Sequence, residues 1–299
     1  MRPLTIRICL IALALIASTG RQAFAAAVDV PFELCDGMIC LPVTLPDGNA
    51  HRMLLDTGNV NSWLTVRTAR AQGLKLDPIE QDGKALSGIF RLGSRSVSLA
   101  GRVLSARFLA LDSEQTGELP AGVEGALAYT MFKGLVVQID YPHHRVRLLD
   151  APANDAAAGA AIALITFGKH GPPVVVGRGF SVNGKAVQAQ IDTCYTGTLL
   201  VYDEAIENLG LRSAAARGRP KYFPYTDGGV NMNQAAVRSL SFGSYVLASQ
   251  PATVYFPAAG KSPVHQPDGL FEATVGNALF LHSVVTLDLH AMKINVQRD

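Results

Sequence analysis

Short apolar runs alternate with polar positions and Gly-rich turns along most of the chain, a rhythm that predicts strands with one buried face. Segments 32–34, 40–45, 53–55, 97–99 and 103–111 read as strands. So do the alternating Val146-Arg147-Leu148 and Lys293-Ile294-Asn295-Val296. Only brief helical pieces interrupt them. One spans 66–72 and stops at Gly73; the other spans 204–209 and stops at Gly210, glycine just past the last turn being a common helix terminator. The pattern predicts an all-β protein.

It also occurs twice. Met53-Leu54-Leu55-Asp56-Thr57-Gly58-Asn59-Val60-Asn61-Ser62-Trp63-Leu64 runs from apolar residues into Asp-Thr, through a small polar loop, and back into an apolar pair. Ala189-Gln190-Ile191-Asp192-Thr193-Cys194-Tyr195-Thr196-Gly197-Thr198-Leu199-Leu200 does the same, 136 residues later. Gly48 and Gly184 each precede their Asp by eight residues, and each loop is followed by one of the two helices. Further on, Val136-Val137-Gln138-Ile139-Asp140 matches Val284-Val285-Thr286-Leu287-Asp288 at an offset of 148, as Phe132 matches Phe280 and Val146 matches Ile294. The second half therefore carries 12 extra residues between loop and closing strand. Such duplication predicts two homologous β-rich lobes with a cleft between them. The first lobe covers 26–150 and the second 162–299. Residues 151–161, rich in Pro and small residues, form the connection.

Residues 1–25 have Arg2 and Arg7, the apolar run 8–17 and Ala23-Phe24-Ala25, which reads as a cleaved secretory signal too short for a permanent membrane anchor. The expected mature protein is exported, periplasmic or secreted. It carries 23 basic and 24 acidic side chains, a balance that argues against nucleic acid as a partner. Cys35 and Cys40 flank an Asp36-Gly37 turn signal and, after export, suit a disulfide across a hairpin worth about 2 kcal/mol. Cys194 is left over, inside the second Asp-Thr loop.

With these residues in hand, the chain resembles the aspartic proteases of the pepsin and retropepsin type. The resemblance rests on Asp56-Thr57-Gly58 and Asp192-Thr193-Cys194, each behind an apolar strand. It rests also on Thr274-Val275-Gly276-Asn277, close to the family's segment of two apolar residues then Gly later in the lobe, for which the first half offers Gly125-Ala126-Leu127-Ala128-Tyr129. It implies a two-lobed acid-protease fold with Asp56 and Asp192 paired in the cleft. Both loops sit on one chain, so a monomer suffices. Two nearby carboxylates cannot both ionise cheaply, so one serves as base and the other as acid toward a water held between them. The implied reaction is hydrolysis of peptide or unfolded protein, with no cofactor and no metal. By the same resemblance Thr57 and Thr193 hydrogen-bond across the lobes, and Gly58 and Cys194 support the dyad with their backbone N–H groups.

The departures define an alternative, a catalytically inactive relative that binds peptide or protein segments in the cleft. Cys194 replaces a Gly and adds a Cβ to a crowded turn, at about 1–2 kcal/mol if the backbone there is left-handed. Asn59 and Tyr195 stand where small residues are usual, and a Tyr195 ring beside the dyad would narrow the cleft. Ala128 stands where Gly is typical. Segment 81–95, the place for a substrate-covering hairpin, has turn signals at Asp82-Gly83, Gly88 and Gly93 but no Tyr; Asp227-Gly228-Gly229 is its second-lobe counterpart. A carboxylate beside Cys194 raises its pKa, which speaks against a thiol nucleophile. Asp140, Asp288, His143, His144 and His290 read as turn residues rather than metal ligands. Trp63 and Leu199 read as core. Tyr222, Phe223 and Tyr225 either line the cleft or pack as strand residues.

Overall fold

The computed structural model describes residues 27–150, 160–166, 173–224, 229–258 and 271–298. The signal at 1–25, residues 151–159 of the connection placed at 151–161, Tyr225 and Asp227-Gly228 lie outside the described residues, while Ala160 and Ala161 open a strand, Ala160–Thr166. The described chain is mostly strand, arranged as two sheet-rich lobes. Among the described residues no helix is long and apolar enough to cross a membrane.

Each lobe uses the same device to hold its Asp-Thr loop. In the first, strand Ala50–Asp56 leads into the loop and Ser62–Thr65 leaves it. Strand Val123–Ala128 runs between them, parallel to the first and antiparallel to the second. In the second, Lys185–Ile191 leads in, Leu199–Val201 leaves, and Ala273–Val275 lies between with the same two polarities. A strand inserted between the loop's arms forces the chain to cross over its end. The carboxylate-bearing turn is thereby presented at the rim of the sheet.

Two helices fall where the pattern predicts, and two short ones, Ser113–Thr116 and Arg212–Ala216, are ones it does not predict. Val66–Ala71 is capped by the Thr65 hydroxyl, which accepts from the Thr68 N–H, and Gly73 follows at φ +66°. Asp203–Asn208 is followed by Gly210 at φ +71°. The repeat is legible in backbone angles too. Gly48 and Gly184 both take φ +82°, while His144 and Met292, 148 residues apart, take +53° and +54°.

One element differs from expectation. Segment 97–99 is only the end of a strand, Lys84–Leu99, that pairs with Asp77–Gln81 around the Asp82-Gly83 turn and with Arg102–Leu111 on its other side. Gly93, at φ +77°, marks a shift of register within this strand, and Gly88, at φ +71°, also lies inside it; neither is a chain reversal. The predicted hairpin therefore exists, with Asp82-Gly83 alone as its tip.

Both lobes join through six antiparallel strands, in the order Val28–Pro31, Arg145–Asp150, Leu135–Asp140, Ser283–Asp288, Lys293–Arg298, Ala160–Thr166. At their centre Gln138 lies opposite Thr286, its own counterpart at the 148-residue offset, and donates to its hydroxyl at 3.3 Å. A pseudo-two-fold axis passes between them. The matching Asp140 and Asp288 are buried and accept turn N–H groups from His143 in one lobe and from His290 and Ala291 in the other. That is the turn role expected of them.

Candidate active site

The second point on the pseudo-axis is the pair of Asp-Thr loops. Thr57 N–H donates to the Thr193 hydroxyl at 3.0 Å, and Thr193 N–H donates to the Thr57 hydroxyl at 3.1 Å. Each hydroxyl then passes its own proton across the interface, Thr57 to the Ile191 carbonyl at 2.8 Å and Thr193 to the Leu55 carbonyl at 2.5 Å. Both threonines are buried, so every one of these polar groups needs its partner. Four reciprocal bonds fix the loops face to face.

The carboxylates follow. Asp56 accepts the Gly58 N–H at 3.0 Å and Asp192 accepts the Cys194 N–H at 2.8 Å, the same bond made twice. Side-chain donor atoms of Asp56, Asp192 and Cys194 lie within 4.8 Å of one another. Two carboxyl oxygens no farther apart than this are within reach of a single water, at about 2.8 Å per hydrogen bond. Asp56 is buried, at 7% exposure, whereas Asp192 is partly open to solvent. Burial first, and then the charge of Asp192, push the Asp56 pKa up to about 8, against lesser help from the Gly58 and Asn59 N–H groups and the Cys194 thiol. Two carboxyls and a thiol are also a donor set that a borderline-soft divalent cation accepts.

The solved structures most like this chain include an aspartic proteinase from Irpex lacteus, with a TM-score of 0.51 and 11% sequence identity over 91% of this chain and 97% of that one. Basic 7S globulin from soybean gives a TM-score of 0.48 and 12% identity over 91% and 94%. No protein-family model matches the chain, and no curated protein sequence matches it. The likeness to the Irpex proteinase is one of fold. The fold is that of the pepsin-like aspartic proteinases.

Within that fold the two loops are filled differently. A Cβ on Gly58 would lie 2.4 Å from the Asp192 carboxyl carbon, so this position has no room for a side chain. Its counterpart Cys194 carries one, and the half-buried thiol sits between Asp56, the Leu55 carbonyl at 3.8 Å, and an apolar cluster that contains Met38, Leu54 and Trp63. Cys194 is absent from the residues with positive φ, so the left-handed strain considered for it does not arise. Burial and the two neighbouring carboxylates hold its pKa well above the usual thiol range, which makes it a poor nucleophile.

Tyr195 does not narrow the cleft. Its ring is buried in the second lobe, with centroids 5.8 Å from Phe223 and 6.4 Å from Tyr255, and its hydroxyl reaches Met232 Sδ at 3.9 Å. The ring and the local backbone together account for the glycines around it. A Cβ on Gly276 would meet the Tyr195 carbonyl at 2.1 Å, and one on Gly197 would meet the Tyr195 hydroxyl at 2.3 Å. In the first lobe Asn59 replaces Tyr195, and Ala128 fits with its N–H donating to the Ser62 hydroxyl at 3.0 Å. Phe223 is core, while Tyr222 is exposed. Trp63 and Leu199 are buried as expected.

Two bridging residues were not assigned a role from sequence. Asn277, buried, donates to the Thr193 carbonyl at 2.6 Å and to the Gly37 carbonyl at 2.9 Å, and accepts from the Tyr141 hydroxyl at 2.6 Å. Its counterpart Tyr129 reaches the other way, to the Pro173 carbonyl at 3.1 Å. The position after Ala128 and Gly276 thus tethers each lobe to the other. Gly37 belongs to the hairpin that the Cys35–Cys40 disulfide closes, with Cα atoms 5.9 Å apart, so the disulfide braces the second loop from the first lobe.

Proposed function

We propose that the protein is an aspartic-type endopeptidase acting on peptides or unfolded protein through Asp56 and Asp192. The observation that carries this reading is the reciprocal Thr57–Thr193 clamp, which brings the two carboxyl groups within 4.8 Å of each other with Asp56 inclined to hold a proton to about pH 8. Asp56 then serves as the acid. Asp192, more open to solvent, serves as the base that draws a proton from the intervening water. The water oxygen attacks the peptide carbonyl while Asp56 gives its proton to the developing oxyanion. The intermediate collapses as the amine leaves with a proton, and the dyad returns to its single-proton state. Because that state persists to near pH 8, cleavage extends to neutral pH rather than being confined to acid. Both loops lie on one chain, so the active species is a monomer. The disulfide supports an exported protein.

The test is to incubate the purified protein with a diverse peptide mixture from pH 3 to pH 9 and read cleavage by mass spectrometry, with Asp56→Asn and Asp192→Asn alongside. Cleavage lost in both variants is the expected result. Cleavage surviving Asp192→Asn sinks the two-carboxylate mechanism. A folded protein that cleaves nothing returns the choice to the peptide-binding alternative, for which the thiol on Asp56 is the favouring observation.

A further inference from the structure

Pairing registers locate a second group of residues relative to the dyad. Across the first-lobe sheet, Cys40 lies opposite Leu54, Leu54 opposite Ala126, Ala126 opposite Trp63, Trp63 opposite Leu109, and Leu109 opposite Arg91. Residues opposite one another share a face. This is the face against which Cys194 of the second lobe packs, together with Leu54, Trp63, Ala126 and Leu109. The next row toward the dyad begins two residues on from Leu54, at Asp56, and passes through its partner Ala128. Strand Arg102–Leu111 runs parallel to Ser62–Thr65, which runs antiparallel to Val123–Ala128; carried one residue before Ser62, to Asn61, these registers extend the row to Arg107, which pairs with Ser94. Asp56 and Arg107 therefore lie at one level on one face. Three strand spacings separate them, about 14 Å.

A cavity of about 620 Å³ opens there, lined by Asn61, Arg91, Gly93, Ser94, Arg107, Phe108 and Leu109. Its charge is all of one sign, with two arginines and no carboxylate in the lining. Arg91 and Arg107 are both exposed, and among the described residues neither makes an ion pair. Asn61 and Ser94 add neutral hydrogen-bonding side chains. An extended peptide advances about 3.3 Å per residue, so a chain crossing the dyad brings its side chains to this cavity within about four residues.

We propose that Arg91 and Arg107 form a specificity subsite that takes an acidic side chain of the substrate, within about four residues of the bond cut. The inference rests on the peptidase reading for its catalytic consequence, but the subsite binds whether or not the bond is cut. Guanidinium groups pair with carboxylates in two-pronged fashion, and the neighbouring Asn61 and Ser94 offer further hydrogen bonds to the same group. The substrate class is thus acidic peptides rather than the apolar segments that a β-rich cleft alone suggests.

The experiment uses decapeptides with one variable position carrying Glu, Gln or Lys, each measured for cleavage by the wild-type protein. Binding is measured in parallel by fluorescence anisotropy with the Asp192→Asn variant. The expected result is a Glu-over-Gln advantage of about tenfold in kcat/KM, carried by KM, at one position on one side of the scissile bond and weakened by 0.5 M salt. Arg91→Glu with Arg107→Glu turns that preference toward Lys, and Arg107→Lys keeps it for Glu. A charge preference absent from both cleavage and binding overturns the subsite, as does one that survives charge reversal. Glu-selective binding without cleavage in the wild type upholds the subsite and removes the peptidase reading. Cleavage indifferent to charge does the reverse.

Discussion

The two Asp-Thr loops share a skeleton and differ in filling. In both, the carboxylate accepts the N–H two residues on, the Thr hydroxyl crosses to the other lobe, and a strand runs between the loop's arms. Gly58 is bare against Asp192, whereas Cys194 lays a thiol against Asp56. Asn59 and a buried Ala128 stand in the first lobe where the second has Tyr195, its ring turned inward, and Gly276, pressed against the Tyr195 carbonyl and ring. Backbone donors and threonines are what the arrangement cannot lose; the side chains that pack behind them can be exchanged in matched sets.

That contrast is most sharply broken by Gly58→Cys, which gives the first loop the second loop's side chain. Its Cβ enters the Asp192 carboxyl, and peptide cleavage falls by about a hundredfold or more, whereas Cys194→Gly, the reverse change, retains it. Steady-state kinetics on one peptide decide between them.

Protonation separates the two aspartates next. Asp56 titrates near 8 in the folded protein against 3.8 when unfolded, so folding favours its neutral form. The stability this confers is whole below about pH 4 and is lost as pH rises through about 8. Urea unfolding of the wild type therefore weakens between pH 5 and pH 9. Asp56→Asn, which cannot ionise, flattens that fall.

The packing behind the loops gives a smaller contrast. Gly276→Ala pushes a methyl into the Tyr195 carbonyl and costs about 3 kcal/mol, while Ala128→Gly at the matching position costs about 1 kcal/mol through backbone freedom. Thr57→Val deletes one hydroxyl of the clamp. It leaves the Thr193 N–H and the Ile191 carbonyl without their partner, and costs about 2 kcal/mol by denaturant unfolding.

What sequence made legible was local or repeated. The Asp-Thr loops, the two helix stops at Gly73 and Gly210, the hairpin disulfide and the matched closing strands are written in neighbouring residues or in a constant offset. What stayed hidden depends on partners distant in the chain. The direction of the Tyr195 ring is set by Phe223, Met232 and Tyr255, and the role of Asn277 by Gly37, 240 residues away. Gly93 marked a turn in sequence because a positive φ serves a bulge and a reversal equally, and only the partner strand distinguishes them. The alignment of Arg107 with Asp56 required the register of four strands.

The join between lobes has a consequence for ancestry. Because Leu135–Asp140 meets Ser283–Asp288 with Gln138 beside its own counterpart Thr286, like strand lies against like strand about an axis. A single ancestral half-chain could have met an identical copy in this register and completed the same pair of loops. In such a symmetric pair, any cysteine gained would appear on both carboxyls at once. With both halves on one chain that constraint is absent, and a thiol on Asp56 opposite a bare glycine on Asp192 is an asymmetry that two identical half-chains cannot make.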